Sequence, residues 1–176
     1  MFKAWLAITI AFGLILTPSL GTMQAYLVAA ISVATGFLFH EIAHKYFAQK
    51  YGCFAEFRSD DKMLVFAVLL AWLVGIVLAA PGAVVIRGHL TRKQNGKVSV
   101  AGPATNLAIA LITLSVFLLT GFTLIKYVAM VNAFLGFFNL LPFGILDGRK
   151  VYRWNKNIYA GVMVAAVALV LLSSLL

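Results

Sequence analysis

"FLFHEIAHKY", residues 37–46, sets two histidines and a glutamate directly behind a long apolar run. Ionisable groups are costly in lipid and are kept there for a function. Whether this stretch lies in lipid depends on its surroundings. The chain has 176 residues, 63% of them hydrophobic and only 11% charged, with a mean hydropathy of +1.01. A soluble domain of this length would carry about 25% charged residues. No soluble fold buries so much apolar surface, so the solvent is lipid. The chain reads as an integral membrane protein with room for one domain.

The net charge of +9 does not point to a nucleic-acid partner. Lys and Arg fall in short loops between apolar runs, the pattern of the positive-inside bias rather than of a phosphate-binding face. Cys53 is the single cysteine, which excludes an intrachain disulfide and a cysteine-rich metal cage. It reads as a small apolar residue.

A spanning helix needs about 20 largely apolar residues. Segments 4–20, 23–47, 103–120, 122–141 and 158–176 meet or approach this, and a sixth apolar stretch covers 63–80. Residues 1–20 also carry a signal-peptide pattern: basic Lys3, an apolar run, then Thr17-Pro18-Ser19. No small-x-small cleavage site follows and a second apolar helix starts almost at once, so they are expected to stay as a first helix.

Charge sets the topology. With the N-terminus inside, as Lys3 suggests, the second helix delivers Lys45, Lys50, Arg58 and Lys62 to the cytoplasm. If 63–80 enters the membrane and returns, Arg87–Lys97 and Arg149–Lys156 are cytoplasmic too, and only Lys126 lies outside. The positive-inside rule therefore favours a re-entrant or interfacial segment. "GAVVIRGH" (82–89) and "NGKVSVAG" (95–102) are short β-branched runs whose loop contains Asn95-Gly96, a hairpin signal. "CFAEFRS" (53–59) alternates and offers a third strand. The expected fold is an all-α polytopic membrane protein of five to six helices, with a small re-entrant or interfacial β-hairpin or sheet between the second and third long helices.

His40-Glu41-Ile42-Ala43-His44 reads H-E-x-x-H. Residues four apart share one helix face, so both imidazoles can reach one metal ion, with Glu41 on an adjoining part of that face as a base for water activated there. Catalytic zinc usually has a third protein ligand. Glu56, Asp60 and Asp61 sit among Arg58 and Lys62 in a polar loop and read as solvated. Asp147 follows a helix broken at Pro142 and Gly144, at the same membrane face as His44, where a carboxylate can be aimed into the bundle. His89, in a polar loop with Arg87 and Arg92, reads as exposed.

Three ordered motifs complete the picture: H-E-x-x-H (His40–His44), "AGPATN" (Ala101–Asn106) and "NLLPFGILDG" (Asn139–Gly148). All three lie in the last four-fifths of the chain, which resembles the site-2 protease family of intramembrane zinc metalloproteases. Where many members carry a proline directly before L-D-G, this chain has Ile145, and it lacks the PDZ-type insertion of longer members. The resemblance implies one Zn2+ per chain, ligated by His40, His44 and Asp147, with Glu41 as general base and Asn139 beside the substrate. Asn106 fits either the site's polar network or an interhelical hydrogen bond.

The expected layout is one metalloprotease domain over 1–176: an accessory helix (1–20), a catalytic core (21–148) and a C-terminal helix (157–176). The expected activity is zinc-dependent cleavage of transmembrane segments of membrane-protein substrates, in the cell membrane, with the N-terminus and active-site end cytoplasmic. The hairpin strands 83–87 and 97–101 are expected to clamp the unwound substrate, which makes Val84, Val85, Ile86 and Val98 candidate contacts. Two alternatives share the residues: an H-E-x-x-H protein cutting at the membrane surface, and a non-proteolytic zinc-binding scaffold or transporter. The complete His-Glu-His-Asp set weighs against the second.

Overall fold

The computed structural model describes residues 1–77 and 82–176. Helix α1 (Phe2–Leu20) turns at Gly21 into α2 (Thr22–Val33), and the indole of Trp5 donates to the Ala30 carbonyl across this antiparallel pair. α2 runs without interruption through a π-helical turn, Ala34–Leu38, into α3 (Phe39–Lys50). The π turn stands one turn before the two histidines, a frequent setting for such turns.

Strand β1 (Phe54–Ser59), helix α4 (Asp61–Val74) and strand β2 (Gly82–Arg87) follow. Asp60 caps α4 by accepting from the backbone N–H of Lys62 and Met63. β1 and β2 pair antiparallel, from Phe54 opposite Arg87 to Ser59 opposite Gly82. That pairing returns the chain at residue 82 to the place it left at residue 59. At 14 residues α4 is too short to cross about 30 Å of hydrocarbon at 1.5 Å per residue. Residues 78–80 of the apolar stretch 63–80 lie outside the described residues.

The remainder is helical: α5 (Arg92–Thr120), α6 (Thr123–Asn139), α7 (Asp147–Trp154) and α8 (Lys156–Leu175). Among the described residues, four helical segments are long and apolar enough to cross a membrane: Phe2–Leu20, Thr22–Lys50, Arg92–Thr120 and Lys156–Leu175. The fifth expected span is the shorter 17-residue α6. Leu119 and Leu175 are 86% and 82% exposed on the outside, as lipid-facing side chains should be.

The sequence-based hairpin is corrected in two respects. β2 pairs with 54–59, the expected third strand, and not with 97–101, which lies inside α5. The helix begins early because Thr91 and Gln94 form a reciprocal capping box. Asn95-Gly96 is therefore a first-turn dipeptide, and Gly96 is small because the Trp154 ring packs against it. Val98 accordingly lies on a helix and not on a clamp strand. The expected segment 103–120 likewise starts earlier, since Gly102-Pro103 falls inside α5.

Two apolar clusters hold the bundle. One joins α1, α2 and α4 through Ile8, Phe12, Val33 and Leu64. The other joins α5, α6 and α8 through Leu107, Ala133, Ala166 and Leu169. A smaller one sets α3 against β1 and α5 through Ala48, Cys53, Ala55 and Val98, where Cys53 is a buried free thiol. The site lies between these clusters.

Candidate metal centre

α3 presents His40 and His44 one turn apart, with their rings nearly perpendicular, at 82°. Their Nε2 atoms are 3.0 Å apart. Asp147, the first residue of α7, brings Oδ2 to 2.9 Å from His44 Nε2 and 3.4 Å from His40 Nε2. All three residues are buried. Among the described residues they form the single group of three that could hold a metal ion.

The far side of each imidazole is tied down. Asn106 Nδ2 donates to the Gly36 carbonyl at 2.7 Å, which turns its Oδ1 toward His40 Nδ1, 2.5 Å away. The Val98 carbonyl lies 2.8 Å from His44 Nδ1. Both partners can only accept, so both Nδ1 atoms donate, and in the neutral rings both Nε2 atoms carry lone pairs. Two lone pairs and a carboxylate oxygen then converge with no proton between the two nitrogens. Such a set calls for a cation. Tetrahedral zinc at 2.0–2.1 Å from its ligands separates them by about 3.3 Å, close to the 2.9–3.4 Å found here.

Glycines explain two of the motifs. A Cβ at Gly102 would meet His44 Nε2 and stand 2.6 Å from His40 Nε2, so α5 can pass the metal position only as glycine. A Cβ at Gly148 would meet the Leu140 carbonyl where the broken segment after α6 folds back against α7. This close approach lets α7 start at the carboxylate.

Glu41 is buried beside the ligands, and its Oε2 accepts from the backbone N–H of Val84 on β2 at 3.1 Å. A cavity of about 140 Å³ is lined by the three ligands together with Glu41, Val84 and Asn139, room for a few water molecules at about 30 Å³ each. Ile86 and Val98 also line it; Val85 lies on the other face of β2 and does not. Asn139 Nδ2 donates to the Leu135 carbonyl on its own helix. Asn106 contacts His40 rather than the cavity. His89 is exposed.

Sequence reasoning missed the polar chain behind His40. Asn106 Nδ2 reaches Asn132 Oδ1 at 3.4 Å, and Asn132 Nδ2 reaches Thr35 Oγ1 at 3.2 Å and the Val128 carbonyl at 2.9 Å. The available signal was Asn132 itself, an amide in the middle of the apolar run 122–141. Lys150, whose Nζ is 3.3 Å from Asp147 Oδ1, was noticed only as a topological charge.

The chain is 37% identical over 145 residues to "Putative zinc metalloprotease MJ0611" of Methanocaldococcus jannaschii, an overlap of 79% of this chain and 76% of that protein. It is 32% identical over 162 residues to "Putative zinc metalloprotease Rip3" of Mycobacterium tuberculosis, covering 82% of this chain and 37% of the relative. It is 25% identical over 119 residues to "Zinc metalloprotease MJ0392" of M. jannaschii, covering 65% and 30%. The chain thus spans about three quarters of the first relative and little more than a third, or less, of the other two. No family model matches the chain, and no solved structure does.

Proposed function

This chain belongs to the site-2 protease family of zinc metalloproteases, and from that premise we propose that it is an endopeptidase cutting transmembrane segments of membrane proteins inside the bilayer. It is a zinc metallopeptidase with a His40–His44–Asp147 group for one zinc ion; the proposal concerns where it cuts and what. One observation carries it. The H-E-x-x-H residues sit on Thr22–Lys50, a helix long and apolar enough to cross a membrane, and open into a cavity shared with a strand edge.

When bound at His40, His44 and Asp147, zinc supplies a Lewis acid that polarises a carbonyl and acidifies water. The protein's own groups do the rest. Glu41 takes the proton of the attacking water and hands it to the leaving amine. Its carboxylate is held for this by the Val84 N–H. Asn139, on the cavity wall, donates to the oxygen on which negative charge develops.

The strand edge supports the substrate side of the reading. Val84 gives its N–H to Glu41 and not to β1, so alternate residues Gly82, Val84 and Ile86 turn their backbone groups toward the site. A helical substrate hides its carbonyls in its own hydrogen bonds; once unwound, it can pair with this edge as an added strand. Val85 faces the other way and contributes only to the pairing. The basic residues at the end of α3, the start of α5 and along α7 gather at the end of the molecule that holds the site. The positive-inside rule makes that end cytoplasmic, with the N-terminus on the same side.

The test is reconstitution of purified protein in liposomes with a single-span test substrate. Wild type cleaves it; Glu41→Gln retains one zinc per chain and does not. Cleavage retained by Glu41→Gln would sink the mechanism.

A further inference from the structure

Asp147 offers two oxygens but turns only Oδ2 toward the imidazoles. Its other oxygen, Oδ1, receives Lys150 Nζ at 3.3 Å, from one turn further along α7. Among the described residues this ammonium is the one hydrogen-bond donor to that oxygen. The pair is not a solvated surface contact of the kind that contributes little. The Asp147 side chain is 12% exposed against 45% for Lys150, and Lys150 itself lines the cavity. α7 is also anchored one turn beyond Lys150: Arg92 of α5 donates to the Arg153 carbonyl and Trp154 packs on Gly96.

We propose that Lys150 is a positioning residue that engages Asp147 Oδ1 and so limits the carboxylate to one-oxygen ligation of the metal. A free carboxylate can swing to give a zinc ion both oxygens. With His40 and His44 that would fill four positions and leave none open for water or a carbonyl, whereas a catalytic zinc keeps one open. The ammonium competes for Oδ1, keeps Oδ2 aimed at the imidazoles, and supplies the hydrogen bond that a buried carboxylate oxygen needs. A lysine suits this position because its flexible stem reaches back from the cavity rim while its head stays partly hydrated. The inference rests on the metal site formed by His40, His44 and Asp147 and concerns how one of its ligands is presented.

The test uses full-length protein in detergent, with Zn2+ titrated against a competing chelator and Co2+ as a spectroscopic substitute. Lys150→Met keeps the stem and removes the charge. Its zinc affinity is expected to stay equal or rise by up to about tenfold, since Oδ1 becomes free for the metal and a nearby positive charge is lost, while Lys150→Arg stays within about threefold of wild type. The visible d–d absorption of the Co2+ form should weaken in Lys150→Met, as the coordination number rises, and return in Lys150→Arg. A wild-type Co2+ spectrum in Lys150→Met would overturn the proposal, and so would a spectral change that Lys150→Arg does not reverse. Wild-type protein that binds no zinc would instead overturn the metal site itself, a result distinct from the other two.

Discussion

Gly102→Ala tests the metal site without touching a ligand. The added Cβ would lie 2.6 Å from His40 Nε2 and 2.7 Å from His40 Cδ2, and would meet His44 Nε2 as well. Ordinary contact begins near 3.4 Å, so His40 must retreat by about 0.8 Å while metal distances tolerate about ±0.2 Å. Neither ring is free to retreat. His40 is backed by Asn106 at 2.5 Å and His44 by the Val98 carbonyl at 2.8 Å. Overpacking of this kind costs about 1–3 kcal/mol, and each 1.4 kcal/mol is about tenfold in affinity. If the strain falls on the metal-bound state, zinc affinity drops roughly 5- to 150-fold. The assay is chelator competition on purified protein, with thermal unfolding followed alongside. Gly161→Ala is the control: nothing lies within 4 Å of its Cβ, so zinc binding should not change and the helix should gain about 0.5–1 kcal/mol. Wild-type zinc affinity in Gly102→Ala would refute the close approach of α5 to the metal position.

Three further outcomes follow from the same geometry. Asn106→Ala frees His40 Nδ1 and the Gly36 carbonyl together, and should weaken zinc binding about 10- to 100-fold, read by the same competition. Asp147→Ala removes the third ligand and should leave the purified protein without stoichiometric zinc by elemental analysis; full retention would favour a different ligand set. Val84→Pro deletes the N–H that holds Glu41 but no ladder bond to β1. It should keep zinc while cleavage falls by about tenfold or more, since a hydrogen bond to a charged group contributes about 1.5–3 kcal/mol.

The His40–His44–Asp147 group that could hold a metal ion was legible in the sequence because lipid punishes His, Glu and Asp wherever they lack a purpose, and the i, i+4 spacing of His40 and His44 needs no tertiary knowledge. Asp147 was legible through the break at Pro142 and Gly144. The return of the chain between residues 59 and 82 was legible through charge, since a full crossing would strand Arg87–Lys97 on the wrong side. The hairpin was misread for a local reason. Val98, Ser99 and Val100 favour a strand and Asn-Gly favours a turn, yet the Thr91–Gln94 capping box, also present in the sequence, starts a helix that Trp154 then buries. Asn132 was beyond reach, because one amide in an apolar run does not reveal which distant group it meets, whereas the i, i+3 spacing of Asp147 and Lys150 pairs them only once Asp147 is known to open a helix. Asn132 serves His40 only through Asn106, and Lys150 serves the site only through Asp147.

The central claim is that the peptide bond is cut within the bilayer. It is tested most directly by mapping, with mass spectrometry, the bond that liposome-reconstituted protein cleaves in a single-span substrate. A cut inside the apolar span is expected, lost in Glu41→Gln while zinc stays bound. A cut confined to the hydrophilic flanks would contradict it.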